Sequence, residues 1–366
     1  MLRKTLLIFF AFTCVLAHSQ VVRKYSNEFL NIGVGARGLA MGGAQAASTS
    51  DVYASYYNPA GLARIDNNFQ MGVMHTEYFA GIAKWDFGSF AIPIQDKKRT
   101  IGFSFFRFGV DNIPNTLFLV GPDGSINYDN IRSFSVADYA FMFHYAQKLG
   151  IKGLTLGGSA KMIYRKVGSF AQAFGFGIDL GVQYRWKGLQ VGLMARDISS
   201  TFSAWDFSFT EDEKRVLLQT NNQIPKSTLE ITVPTINLGA AYNISIVKDK
   251  FYIMPEVNFV FSTDGRRNVL LSAKPISMDL NAGLEINMFK IGYLRAGVTN
   301  IQRVFAEDGK RNFSVSPTFG VGVHIKVISL DYALTNLTTL DKNSSSGTGL
   351  YSNVVSIRLD INKKRR

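Results

Sequence analysis

The side chains best suited to proton transfer or metal binding are few. Beyond residue 20 the only histidines are His75, His144 and His324. None falls in an H-x-x-x-H or H-E-x-x-H spacing, which would put two imidazoles on one helix face to share a metal ion. No G-x-S-x-G elbow offers a serine nucleophile. With one cysteine, Cys14, a disulfide framework and a cysteine-ligated zinc site are both ruled out. Gly33-Val-Gly35-Ala-Arg37-Gly38 matches the G-x-G-x-x-G of dinucleotide binding. That motif needs a strand before it, a helix after it and an acid about 20 residues on. No helix-period segment follows here. The expectation is a non-enzyme without catalytic residue, metal or cofactor.

Composition narrows the class. The chain has 366 residues, 46% hydrophobic and 18% charged, with 33 Gly, 29 Phe and 15 Tyr. Such apolar and aromatic content excludes disorder. Mean hydropathy is only +0.06. No run of about 18 apolar residues follows the start of the chain, which excludes membrane helices. A large β-rich globular protein or a transmembrane β-barrel remains.

Residues 1–19 read as a secretory signal peptide. Arg3 and Lys4 precede an apolar stretch from Leu6 to Leu16, and Ala17-His18-Ser19 provides small residues before cleavage at Gln20. A lipoprotein reading lacks the small and polar residues it needs around Cys14. The mature chain then has no cysteine, as suits an oxidising envelope compartment. Loss of Arg3 and Lys4 takes the formal net charge from +13 to +11.

From residue 68 onward the pattern has period two. Phe174, Phe176, Ile178, Leu180, Val182, Tyr184 and Trp186 alternate with Gly175, Gly177, Asp179, Gly181, Gln183 and Arg185. Fourteen such segments are predicted: 68–78, 80–92, 100–110, 134–147, 153–165, 173–186, 188–197, 236–247, 250–262, 277–288, 291–300, 312–325, 327–335 and 351–362. Each has the length of the ~9–11 residues that cross a bilayer at a tilt.

The connections sort by parity. Links after even-numbered strands are short, while most after odd-numbered strands are longer: 111–133, 198–235, 263–276, 301–311 and 336–350. Short turns on one side and long loops on the other are the barrel arrangement, with the short turns periplasmic. An even strand count leaves both termini periplasmic. The glycine-rich, charged face, with Lys161, Arg165, Asp179, Arg196, Asp279, Glu285, Arg295, Asp331, Arg358 and Asp360, is expected inside, and His324 falls on it as a lining residue. The aromatic face is expected against outer-membrane lipid. A soluble β-sandwich would need neither the parity nor this much glycine.

The short turns are basic, carrying Lys97, Lys98, Arg99, Lys148, Lys152, Lys187, Lys248, Lys250 and Lys290 on one rim with the tail Lys363 to Arg366. Nucleic acid is excluded by compartment. A solvated rim beside anionic headgroups and a docking rim for an acidic partner both remain open.

Residues 20–67 do not alternate and are expected to form a small N-terminal hatch or plug in the mouth of a barrel spanning 68–362, with 363–366 as a basic periplasmic tail. The segment carries Gly33, Gly35, Arg37, Gly38, Met41, Gly42 and Gly43, then Asp51, then Asn58-Pro59-Ala60-Gly61. The glycines imply close backbone approaches. Asn58-Pro59 reads as a tight turn whose Asn side chain serves as a backbone partner. This stretch resembles the N-terminal signature of the PorV/PorQ family of outer-membrane barrels, a branch of the FadL-like barrels. The match covers the segment only.

The resemblance implies fourteen strands, a location in the outer membrane of Bacteroidetes-type Gram-negative cells, and a part in type IX secretion. There PorV-like barrels bind the C-terminal sorting domains of exported cargo and meet the translocon or the attachment complex. The alternative is a FadL-like transporter of hydrophobic small molecules. Segment 198–235 holds Phe202, Trp205, Phe207 and Phe209, which are either partner-binding anchors, a lip dipping into lipid, or the packing of a loop core.

Overall fold

The computed structural model describes residues 26–336 and 351–362, apart from 122, 249, 264, 266–268, 274 and 306–310. Residues 1–19, read above as a signal peptide, with Cys14, and the basic tail 363–366 lie outside the described residues.

The described strands, in chain order, are β1 (Phe69–Tyr78), β2 (Ala83–Ile94), β3 (Arg99–Asn115), β4 (Arg132–Lys148), β5 (Leu154–Val167) and β6 (Ala171–Trp186). Then come β7 (Leu189–Arg196), β8 (Phe202–Phe207), β9 (Thr228–Ile231), β10 (Thr235–Tyr242), β11 (Ile244–Val247) and β12 (Phe251–Ser262). The last are β13 (Ser277–Met288), β14 (Gly292–Phe305), β15 (Arg311–Ile325), β16 (Ile328–Asn336) and β17 (Tyr351–Ile361). Three described α-helices are α1 (Ala36–Ala40), α2 (Ala54–Tyr57) and α3 (Glu211–Gln219).

All pairings are antiparallel and the sheet closes, with Phe69 of β1 opposite Ile361 of β17. Fourteen strands are the staves of the barrel: β1 to β7, β10 and β12 to β17. They coincide with the fourteen alternating segments. β11 continues β10 along β12, past Asn243.

Segment 198–235, expected as an open loop, is instead structured. β8 lies on the Ala171–Phe176 half of β6, beyond the end of β7, and β9 pairs with β8. Between them, α3 is started by a reciprocal cap of Thr210 and Glu213. That cap satisfies two free amides, and the acids of the first turn suit the helix dipole.

Alternation resolves into two wall faces. On β6, Phe174, Phe176, Ile178, Leu180 and Tyr184 are exposed, while Asp179 and Gln183 between them are buried. A contiguous apolar surface around a closed barrel belongs against lipid tails. The band is bounded by tyrosines. Tyr139 and Tyr164 stack at 6.1 Å on the long-loop side, and Tyr145, Tyr184 and Trp186 stand exposed on the short-turn side. Beyond Tyr139 the outer wall turns polar. Arg107, opposite Tyr139 in register, pairs with Asp86 at 3.2 Å, and Asp86 holds His75 at 2.7 Å.

The inner wall has two sectors. Trp85, Phe87 and Phe106 of β2 and β3, with Met142 and Ile163 of β4 and β5, form an apolar sector. The expectation of a charged and glycine-rich inner face holds elsewhere on the wall but not in this sector. At its border, Lys161 of β5 is clasped by Asp179 at 2.8 Å and by Asp197. Arg295 joins Glu285 at 2.7 Å and Asp331 at 2.6 Å. Buried charges persist only when paired in this way.

Candidate functional site

Residues 26–67 lie against the inward face of strands from all round the ring. The aromatic sector takes the apolar part. Phe29 meets Trp85 edge-on at 6.2 Å, Tyr56 lies 6.1 Å from Phe106, and the Trp85 indole N–H donates to the Gly33 carbonyl at 2.8 Å. The charged sector takes the polar part. Arg37 of α1 donates to Glu285 at 2.8 Å, and Asp51 accepts from Arg358 at 2.8 Å. Burial alone would lower the Arg37 pKa, but the field and hydrogen bond of Glu285 outweigh it and hold the guanidinium above its ordinary value. Burial first, and then Tyr56, push the Tyr57 phenol up. Burial lowers Arg64 to about 10.

The wall glycines mark where this segment runs. A Cβ on Gly157 of β5 would fall on the backbone of Pro59 and Ala60. On Gly192 and Gly239 it would meet Ala46 and Ala47, on Gly283 and Gly297 Met41, and on Gly320 Ala40. The inward glycines therefore form a track that lets backbone lie on backbone. Within the segment, Gly42 has φ +64° and sits on the backbone of Val298, so both conformation and space demand glycine.

The residues singled out between Gly33 and Gly61 are thus gathered into one packed body. Asn58 is the best connected. Its amide donates to the carbonyls of Ala46 at 2.9 Å and Val182 at 3.1 Å, and its oxygen accepts from Ala60 N at 3.2 Å. Pro59 opens the 3-10 turn that follows, where its missing N–H costs nothing. Asn58→Ala leaves these buried groups unpaired, a loss of about 1–3 kcal/mol. We expect the variant to raise ion conductance across planar bilayers, and conductance equal to wild type would refute that.

Cavities lie on both sides of the segment. One of about 470 Å³ faces the long loops, with Leu39, Gly42 and Tyr57 among its walls. Another of about 340 Å³ faces the short turns and is lined by Arg37, Asp51, Arg64 and Arg358.

A third cavity, about 590 Å³, opens at the long-loop rim. Phe134, Val167, Phe170, Trp205, Phe207 and Phe209 supply its apolar wall, with Asn115, Thr228 and Glu230 as polar points. The structure brings Trp205, Phe207 and Phe209 together here. Phe202 is not among them and is exposed on the outer wall. Pro114, Phe134 and Phe170 were not singled out from sequence, because they lie far apart in the chain, at the ends of β3 and β4 and in the β5–β6 turn. Arg165 lies over the Trp205 ring at 4.9 Å and pairs with Asp138 at 2.8 Å, fixing that indole.

The histidines are dispersed. His75 faces outward, His144 is buried between Ser104 at 2.8 Å and Ser159 at 2.7 Å, and His324 bonds Ser329 at 2.6 Å.

No protein-family model and no curated protein matches this chain. Solved structures do. The chain is similar to the CymD monoaromatic hydrocarbon channel, with 13% identity, a TM-score of 0.55, and coverage of 91% of this chain and 99% of that one. It is similar to the Ralstonia pickettii toluene transporter TbuX, with 14% identity, a TM-score of 0.55, and coverage of 90% and 99%. It is also similar to a Pseudomonas aeruginosa FadL homologue, with 11% identity, a TM-score of 0.52, and coverage of 90% and 98%. At these identities the likeness is one of fold: a FadL-like barrel.

Proposed function

We propose that this chain is an outer-membrane barrel that takes up small hydrophobic molecules at its long-loop rim, outside the cell, and passes them inward. The observation that carries this is the apolar cavity of about 590 Å³ at the ends of β3 to β6. It lies on the same side of the barrel as the aromatic inner sector of β2 to β5. An apolar pocket with a few polar points is the usual form of a small-molecule site. The fold neighbours, a hydrocarbon channel and a toluene transporter, handle such molecules. In this reading the N-terminal segment is a plug, the termini are periplasmic, and passage requires the plug to shift.

Removing the central ring tests the proposal. Trp205→Ala should weaken binding of toluene or a fluorescent apolar probe by the purified barrel about tenfold, the loss of an aromatic anchor. It should slow uptake into proteoliposomes in proportion. Unchanged affinity and unchanged uptake would sink the transporter reading.

A second reading is type IX secretion, as implied by the resemblance of the Gly33 to Gly61 stretch to the PorV/PorQ signature. What favours it is the fastening of the segment by Arg37–Glu285 and Asp51–Arg358. A barrel closed so firmly would work through its rim, with Trp205, Phe207 and Phe209 as anchors for the sorting domain of cargo. A mild-detergent pull-down from native outer membrane separates the two readings. Co-purifying secreted proteins with a shared C-terminal β-sandwich would favour secretion, and a co-purifying apolar small molecule would favour transport.

A further inference from the structure

We infer that the short-turn rim is a binding surface for the headgroups of anionic phospholipids. Each of the six short turns at this rim carries an exposed lysine: Lys98, Lys152, Lys187, Lys250, Lys290 and Lys326. The turns are laced to their neighbours. Lys148 N donates to Lys98 O at 2.8 Å, Arg185 N to Gly153 O at 2.9 Å, and Phe289 N to Lys250 O at 2.6 Å. The ammonium groups are therefore spread around the circumference rather than gathered in one patch.

Turn chemistry does not account for three of these lysines. Lys187, Lys290 and Lys326 have φ of +52°, +58° and +55°. Hairpin turns at such angles favour Asn, Asp or Gly, which tolerate the left-handed region better than a long side chain does. Lysine is retained there against local preference, so its charge needs another reason. The position supplies one. Lys187 Nζ lies 4.8 Å from the ring of Trp186, which is itself exposed at the edge of the lipid-facing band. Ile151 and Phe289 are exposed in the same turns. Among the described residues the opposite rim has no such excess, since α3 and its flanks bring Asp206, Glu211, Asp212 and Glu213 against Lys214 and Arg215. A cationic ring at the border of the apolar band fits phosphate headgroups arrayed around a barrel. An acidic protein would need a patch. The inference is independent of what passes through the lumen.

The test uses the full chain in nanodiscs of phosphatidylethanolamine with a minor share of phosphatidylglycerol. The barrel is then moved to mild detergent and its retained lipid is quantified by mass spectrometry. Wild type should retain phosphatidylglycerol about fivefold above the bulk ratio, the scale of one lysine–headgroup contact. High salt should erase the excess by screening. The combined Lys98→Gln, Lys152→Gln, Lys187→Gln and Lys326→Gln variant should lose it, while Lys214→Gln with Arg215→Gln at the other rim should keep it. Retention at the bulk ratio in wild type, or an excess that survives either the four substitutions or high salt, would overturn the inference. Salt-sensitive binding of a poly-glutamate peptide without lipid enrichment would also overturn it and give the rim to an acidic protein.

Discussion

Glu285→Gln is expected to release the N-terminal segment and raise conductance through the barrel in planar bilayers. Glu285 is the shared acceptor of two arginines, Arg37 at 2.8 Å from the segment and Arg295 at 2.7 Å from β14. Its loss does not fall on them equally. Arg295 keeps Asp331 at 2.6 Å. Arg37 has no other ion pair among the described residues, so it is left half-buried without a bonded counter-charge, with only the more distant fields of Asp51 and Glu256. Breaking one partner of a buried pair costs about 3–5 kcal/mol, far more than the pair gains over an apolar substitute. Even about 3 kcal/mol, spent locally, raises the population of a detached α1 roughly a hundredfold. Arg37→Lys keeps a charge but loses the second hydrogen bond to Glu285 at 3.3 Å, and should open the barrel less. If Glu285→Gln conducts as wild type does while remaining folded by heat-shift electrophoresis, the segment is not held by this pair.

Much of this was legible in the sequence, and the limits have physical causes. Period-two alternation depends only on pleat geometry, so all fourteen staves could be read from it. Alternation gives two faces but not which one is inside. On β2 the inward residues are Trp85 and Phe87, and the outward ones are Lys84 and Asp86, because that half of the strand lies beyond the tyrosine belt, where the outside is polar. The apolar inner sector was missed for that reason. The rim cavity was missed for another: Pro114, Phe170 and Trp205 are far apart in sequence and meet only when β3 to β6 are aligned in the wall and β8 is added against β6. The structured β8–α3–β9 insertion carried one local signal, Thr210 with Glu213 three residues on, a capping pair ahead of an apolar stretch. The glycines between Gly33 and Gly43 pointed to close backbone contact, which Gly42 makes with Val298, but Gly33, Gly35 and Gly38 instead admit the side chains of Leu39, Tyr53 and Tyr57, and most of the backbone contact falls to the wall glycines.

Those wall glycines yield the other large expected effect. Gly157→Ala and Gly297→Ala should each displace the segment, and together they should do so by more than their sum. A methyl on Gly157 would coincide with the Pro59–Ala60 peptide, and one on Gly297 with the Met41–Gly42 peptide. Both obstacles are backbone, so no rotamer change relieves them, and overpacking of this kind costs about 1–3 kcal/mol per site. Gly88→Ala is the matched control, because nothing stands within 4 Å of its Cβ position on the outer wall. The two sites lie on β5 and β14, well separated around the ring. A segment pushed by only one of them can lean away from it, whereas a segment pushed by both cannot, which makes their coupling unfavourable. Conductance and thermal stability of the four proteins decide the matter. Gly157→Ala and Gly297→Ala behaving like Gly88→Ala would mean that the segment does not rest on the glycine track. A strictly additive double variant would mean that it yields at each contact independently, as a loose chain would and a packed body would not.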